Sequence, residues 1–227
     1  MSEFLQSLVG RQPFGVMFHH FHDHNHPNGQ GAVSADELAG LIERLNNDRS
    51  VQLLDAHAWL ERALDDRLEA SDVCLTFDDG LRCQLDVAVP VLEAYGLTAF
   101  WFIYTSAFAG GYDSIETYRY FRTVHFDGID DFYDEFDQVI AASSYADRGA
   151  DGLSGFDPAE YKPYAVFFSD RDRIFRHVRD NILSSAAYRE LMDGMMAHRG
   201  CDHGELIEKL WISSSDVNSL ARDHNVI

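Results

Sequence analysis

Apolar residues fall along this chain in two kinds of spacing, and the change between them divides it. Near the start, "FGVMFHHF" is a short run rich in Phe and Val that predicts a first strand. A stretch of His, Asn, Pro and Gly follows, up to Gly31, and predicts a loop. In "SADELAGLIERL" the apolar positions Leu38, Leu41, Ile42 and Leu45 repeat at the helical period, and Ser34 with Glu37 makes a capping box. "VCLTF" predicts a second strand, and "LRCQLDVAVPVLEAYG" a helix that starts near Leu81, is kinked or restarted at Pro90 and stops at Gly96. "LTAFWFI" is apolar throughout, which predicts a third strand covered on both faces. Strand, helix, strand in this order is a βαβ unit and implies a parallel sheet.

From about Asp113 to Trp211 the helical period takes over. Ile129, Phe132, Tyr133 and Phe136 fit one helix face, and Ile174, Phe175, Val178 and Ile182 another. "SSAAYRELMDGMMAHRG" predicts a third helix, closed by Gly200, with Met192, Met195 and Met196 as core. Asp202 with Glu205, and Ser213 with Asp216, predict two further caps. The pattern is that of a helical insertion, approximately residues 112–211, inside one α/β domain. The last residues, "DHNVI", predict a turn at Asn225 and a strand opening at Val226 and Ile227, so the chain is expected to stop as a strand begins.

Composition narrows the classes. At 227 residues and 46% hydrophobic content, the chain can bury one real core. Its 18 Lys and Arg against 38 Asp and Glu leave a net charge of -20, which repels phosphate backbones and anionic membranes. Nucleic-acid and membrane partners are therefore not expected. Cys74, Cys83 and Cys201 are odd in number and lack any CxxC spacing, so neither a disulfide framework nor a zinc finger is predicted. No signal-like leader and no run of about 18 apolar residues is present, which points to a cytoplasmic protein.

The candidate chemistry lies in "VCLTFDDG". Asp78 and Asp79 stand side by side where the second strand ends, and parallel α/β sheets place ligand sites at the carboxyl ends of their strands. Adjacent carboxylates repel, and a metal ion offsets that repulsion. Successive residues of an extended chain point in opposite directions, so one carboxylate can hold a metal while the other takes a proton from water. The competing reading is that the pair caps the helix starting near Leu81.

"LTFDDG" followed by "VAVPVLEAYGLTAFWFI" closely resembles the NodB-type polysaccharide deacetylase family, carbohydrate esterases whose first motif reads TFDDG. Thr76 through Gly80, Pro90, Leu92, Gly96, Ala99, Phe100 and Phe102 carry the resemblance, and "VMFHHF", with His19, is similar to the family's first strand. It covers roughly residues 14 to 105. It implies an incomplete, distorted parallel β/α barrel, with the whole of 1–227 a single partial deacetylase domain. By the resemblance Asp78 is the general base and Asp79 a ligand of a divalent metal, commonly zinc. The implied reaction is metal-dependent hydrolysis of N- or O-acetyl groups on a carbohydrate.

The family's second motif, H-[ST]-x-x-H, is missing. By the resemblance its histidine pair falls after Ile227, and the chain is expected to bind metal weakly and to be inactive alone. A competing source of histidines is "HHFHDHNHP". If this segment is extended, His20, His22, His24 and His26 share one face as a metal-binding strip; otherwise it is an exposed loop over the site. His19 and His22 are candidate substrate contacts. Tyr118, Arg119, Tyr120 and Arg122 reach toward a sugar if the insertion overhangs the site, and His125 is read as a packing residue. The alternative class is a non-catalytic glycan- or protein-binding module that keeps Asp78 and Asp79. A Mg²⁺-dependent phosphate-transfer enzyme is disfavoured, since no Gly-rich phosphate loop is present.

Overall fold

The structure is a computed structural model that describes residues 12–109, 111 and 114–223. It forms two compact units: residues up to 113 together with Gly204 onward, and Ser114–His203. The expected turn at Asn225 and strand at Val226 and Ile227 lie outside the described residues.

The first unit is built on four parallel strands, β1 (Phe14–Phe18), β2 (Gln52–Leu53), β3 (Asp72–Asp79) and β4 (Phe100–Ile103). β3 is central. β1 runs along one of its edges, with Phe14 opposite Val73 and Phe18 opposite Phe77. On the other edge β2 pairs with the start of β3 and β4 with its end, where Asp78 faces Phe102 and Asp79 faces Ile103. The parallel order is the expected one, but the sheet stays open and no barrel is formed by these strands. Closing one takes about eight strands.

Residues Asp72 to Phe77 of β3 are buried, and Phe77 packs edge-on against Phe21 and Trp101. Asp72 is wholly buried yet satisfied: it accepts from the Arg62 guanidinium at 2.8 Å and from the Glu69 backbone N–H at 2.9 Å. Cys74 is buried too, and burial pushes its thiol up to about 11, so it is inert at neutral pH. β4 departs from expectation. Trp101 is buried but Phe102 is 58% exposed, so the face that Phe100 covers against Trp59 opens at Phe102, despite the unbroken apolar sequence.

Three helices accompany the strands. α1 (Ala35–Asn47) carries the expected Ser34–Glu37 capping box. α2 (Ala56–Leu64) starts at the Asp55 cap, and neither it nor two-residue β2 is foreseen by the periodicity. α3 (Val89–Ala94) follows a π-helical turn over Gln84–Ala88, in which the Val89 N–H reaches the Gln84 carbonyl. Pro90 has no N–H to continue the α ladder, so the helix restarts there. Gly96, at φ +64°, stops it.

The second unit packs α4 (Ser114–Val124), α5 (Ile129–Ala141), α6 (Ala146–Leu153), α7 (Asp170–His177) and α8 (Ser185–His198). Phe132, Tyr133 and Phe136 are buried as their spacing predicts, and all three rings meet Phe175. Ile129 is the exception: it opens α5 and stays exposed. Val178, Ile182, Met192, Met195 and Met196 are core, and His125 packs against Phe121. The expected reach toward a sugar is not observed for three of its four residues. Tyr118 is buried and donates its hydroxyl to the Asp193 carboxylate at 2.6 Å, Arg119 pairs with Glu116 at 3.0 Å, and Arg122 lies over the Phe175 ring.

α9 (His203–Leu210) and α10 (Ser214–Asp223) lead back to the sheet. Trp211 bridges Leu81, and the Ile212 N–H donates to the Gly80 carbonyl at 3.0 Å. The helical unit thus ends at His203, eight residues before the expected border at Trp211. α10 carries the expected Ser213–Asp216 cap: Asp216 accepts from the Ser213 N–H at 2.7 Å, and Ser213 Oγ from the Asp216 N–H at 3.2 Å. Among the described residues no helix is long and apolar enough to cross a membrane.

Candidate active site

The parallel register decides which side chains meet at the carboxyl end of the sheet. Phe18 lies opposite Phe77, so the next residue on β1's side, His19, falls beside Asp78. His19 Nε2 stands 3.7 Å from Asp78 Oδ2 and 3.9 Å from Asp79 Oδ2. One imidazole thus faces both carboxylates.

A regular strand would splay the two aspartates to opposite faces. They converge because Asp79 has φ +73°, a left-handed conformation that a non-glycine residue adopts only under local compulsion. Turning φ carries the Asp79 side chain away from the strand's alternation. Gly80 follows at φ +66°, where a Cβ would sit 3.2 Å from Ile103 Cγ2, so glycine suits the turn on both counts. The carboxylates remain partly open, with side-chain exposures of 27% for Asp78 and 41% for Asp79. Neither the N–H of Leu81 nor that of Gln84 is capped by them; these donate to Gln84 Oε1 and to the Leu81 carbonyl.

One residue of the site escapes the sequence reading. Gln84 is fully buried, and its amide donates to the His19 carbonyl at 2.8 Å and to the Asp78 carbonyl at 2.6 Å, while its Oε1 accepts the Leu81 N–H at 3.1 Å. The only signal was a polar residue in register with Leu81 and Val87 on an apolar helix face. Arg82, two residues past the turn, holds Asp216 at 2.5 Å and ties α10 to the same place.

The histidine strip does not form. Asp23 Oδ1 accepts the N–H groups of Asn25 and His26 and curls the segment into a turn. The rings then point to separate partners: His22 to Glu37 at 3.8 Å, His24 to Asn25 at 3.0 Å and His26 to Asp86 at 2.9 Å. His20 stacks on His19, with ring centroids 5.9 Å apart. Of the two candidate substrate contacts, His19 joins the aspartates and His22 faces α1 instead. Among the described residues, no three His, Cys, Asp or Glu side chains close into a metal-ligand set. Asp79 and His19 offer donors, but a metal held there needs more than the described residues bring.

No protein-family model matches the chain, and no curated protein sequence matches it. Solved structures similar to part of it include two deacetylases. A de-N-acetylase from Aggregatibacter actinomycetemcomitans is 21% identical over 44% of this chain and 40% of its own, with a TM-score of 0.34. The Streptococcus pyogenes deacetylase PplD, in complex with acetate, is 23% identical over 44% of this chain and 45% of its own, also with a TM-score of 0.34. The matched part spans less than half of either structure.

Proposed function

We propose that this chain belongs to a hydrolase of the deacetylase kind, which removes acetyl groups from an N-acetylated carbohydrate. The observation that carries the reading is the convergence of His19, Asp78 and Asp79 at the end of the central parallel strand, bought with a left-handed Asp79. Asp78 acts as general base. Its carboxylate takes a proton from water as the water oxygen attacks the acetyl carbonyl carbon. The C–N bond then breaks, its electron pair leaves on nitrogen, and the nitrogen takes up the proton, giving acetate and a free amine. His19, level with Asp78, lines the place where the carbonyl sits. Asp79 is assigned to a divalent metal, zinc by the TFDDG resemblance, with further donors required; no step above is routed through it.

The test is acetate release from N-acetylated chito-oligosaccharides, alongside zinc titration by calorimetry. Zinc binding that disappears in Asp79→Ala, and acetate release that disappears in Asp78→Asn, are the expected results. The ligand set that does not close among the described residues favours a second reading, a glycan-binding module without turnover. Oligosaccharide binding with no acetate release, unchanged in Asp78→Asn, selects it.

A further inference from the structure

A site made of three side chains on two strands works only if the strand ends are held in fixed relation. His19 lies just past β1, and Asp78 and Asp79 end β3. Beyond Phe18 and Phe77 the β1–β3 pairing stops, so it holds neither His19 nor the turn. Asp79, although left-handed, stays paired with Ile103 of β4, so that edge holds the aspartates but not His19. Something other than strand pairing must fix His19 against them.

We propose that Gln84 is the positioning residue of this site. Its three hydrogen bonds reach the three backbone segments that matter, namely the His19 carbonyl, the Asp78 carbonyl and the Leu81 N–H beyond Gly80. Both amide hydrogens and the amide oxygen are engaged, and reversing the amide would set its oxygen against two carbonyls, so the partners dictate its orientation. The side chain is fully buried, where an unmet hydrogen bond costs most. A π-helical turn begins at Gln84, and the side chain lies inward, buried, not along the helix surface. Cys83 adds a lesser tie from the same turn, accepting the Phe21 N–H at 3.4 Å. The latch rests on geometry alone; that it serves hydrolysis rests on the reading above.

The experiment compares the whole chain with Gln84→Met, Gln84→Glu and, as a control, Val87→Ala, a buried change on the same turn that removes none of the three hydrogen bonds. Amide hydrogen exchange at Leu81 and the His19–Asp78 cross-peaks in NMR spectra are read in each, without substrate or metal. Gln84→Met is expected to raise Leu81 exchange roughly tenfold relative to the control and to weaken the cross-peaks. Gln84→Glu keeps the acceptor and loses both donors, so it is expected to retain Leu81 protection while the cross-peaks still weaken. Leu81 exchange and cross-peaks equal to those of Val87→Ala overturn the proposal. If Gln84→Met does not fold, Gln84→Glu alone decides, since intact cross-peaks there also overturn it. Failure of acetate release leaves these readouts untouched, so the two ideas fail separately.

Discussion

The helical unit and the end of the sheet treat charge in opposite ways. In the helical unit, ionised side chains that leave the surface are answered by partners. Arg173, 8% exposed, gives its guanidinium to the carbonyls of Tyr161, Lys162, Ala165 and Phe168, clamping one loop. Arg176 holds Asp172, Arg179 holds Asp180, and Arg199 holds Glu135. The end of the sheet does the reverse. It brings two carboxylates to one histidine, and among the described residues no Lys or Arg lies within ion-pair distance of Asp78. Paired charge in the helical unit maintains shape. Like charge brought together at the sheet, with Asp79 in a left-handed conformation, is what one expects of a place reserved for a substrate or cation.

The contrast can be broken most directly at Asp78. Asp78→Asn is expected to lower acetate release by roughly 10²- to 10⁴-fold, as for loss of a general base, while thermal stability stays level or rises. A melting point that falls instead would make Asp78 a structural group like those of the helical unit. Next in size is Arg173→Met, which removes the guanidinium from four carbonyls. Chemical denaturation should show a loss of about 3 kcal/mol, with acetate release per folded molecule unchanged.

Asp79→Gly sharpens the comparison from the other side. Relieving the left-handed strain should stabilise the fold by about 1 kcal/mol while zinc affinity is lost. Asp66→Gly, at φ +55°, is the control: a similar gain in stability with zinc affinity retained. If both variants keep zinc, Asp79 is not a ligand.

The smallest effect is a pH dependence at Asp216. Its burial raises the carboxyl, but the hydrogen bonds from Ser213 and Arg82 outweigh this and hold it below the ordinary aspartate value of 3.8. A depressed folded value means that the stabilisation is complete above 3.8 and is lost as pH falls through the folded one. Asp216→Asn should therefore cost up to about 1 kcal/mol at neutral pH, and its melting point should converge with the parent's in acid.

Much of this was legible where short-range rules govern. The caps at Ser34 and Ser213, the stops at Gly96 and Gly200, and the carboxylates at a strand end each follow from a few neighbouring residues. Long-range placement was not legible. Phe102 reads as core, yet it is left exposed at the end of β4. The histidine run looks like a strip until the Asp23 side chain curls it. Gln84 reads as one polar interruption in an apolar stripe, because its partners, 65 and 6 residues away, declare themselves only when two strand ends come side by side. Asp79's left-handed φ leaves no mark in composition or spacing at all.

The turn after β3 has one more consequence. The Tyr104 N–H donates to the Asp79 carbonyl, the Ile212 N–H to the Gly80 carbonyl, and the Tyr104 and Trp211 rings lie 6.3 Å apart between centroids. The stretch from Tyr104 to Trp211 therefore leaves the sheet unit and rejoins it at neighbouring points. A connection of only a few residues would close that gap, and loop-closure entropy grows only slowly with loop length. The carboxylate turn is thus also a splice junction, at which a segment of any length could be exchanged while the strands beneath it keep their places.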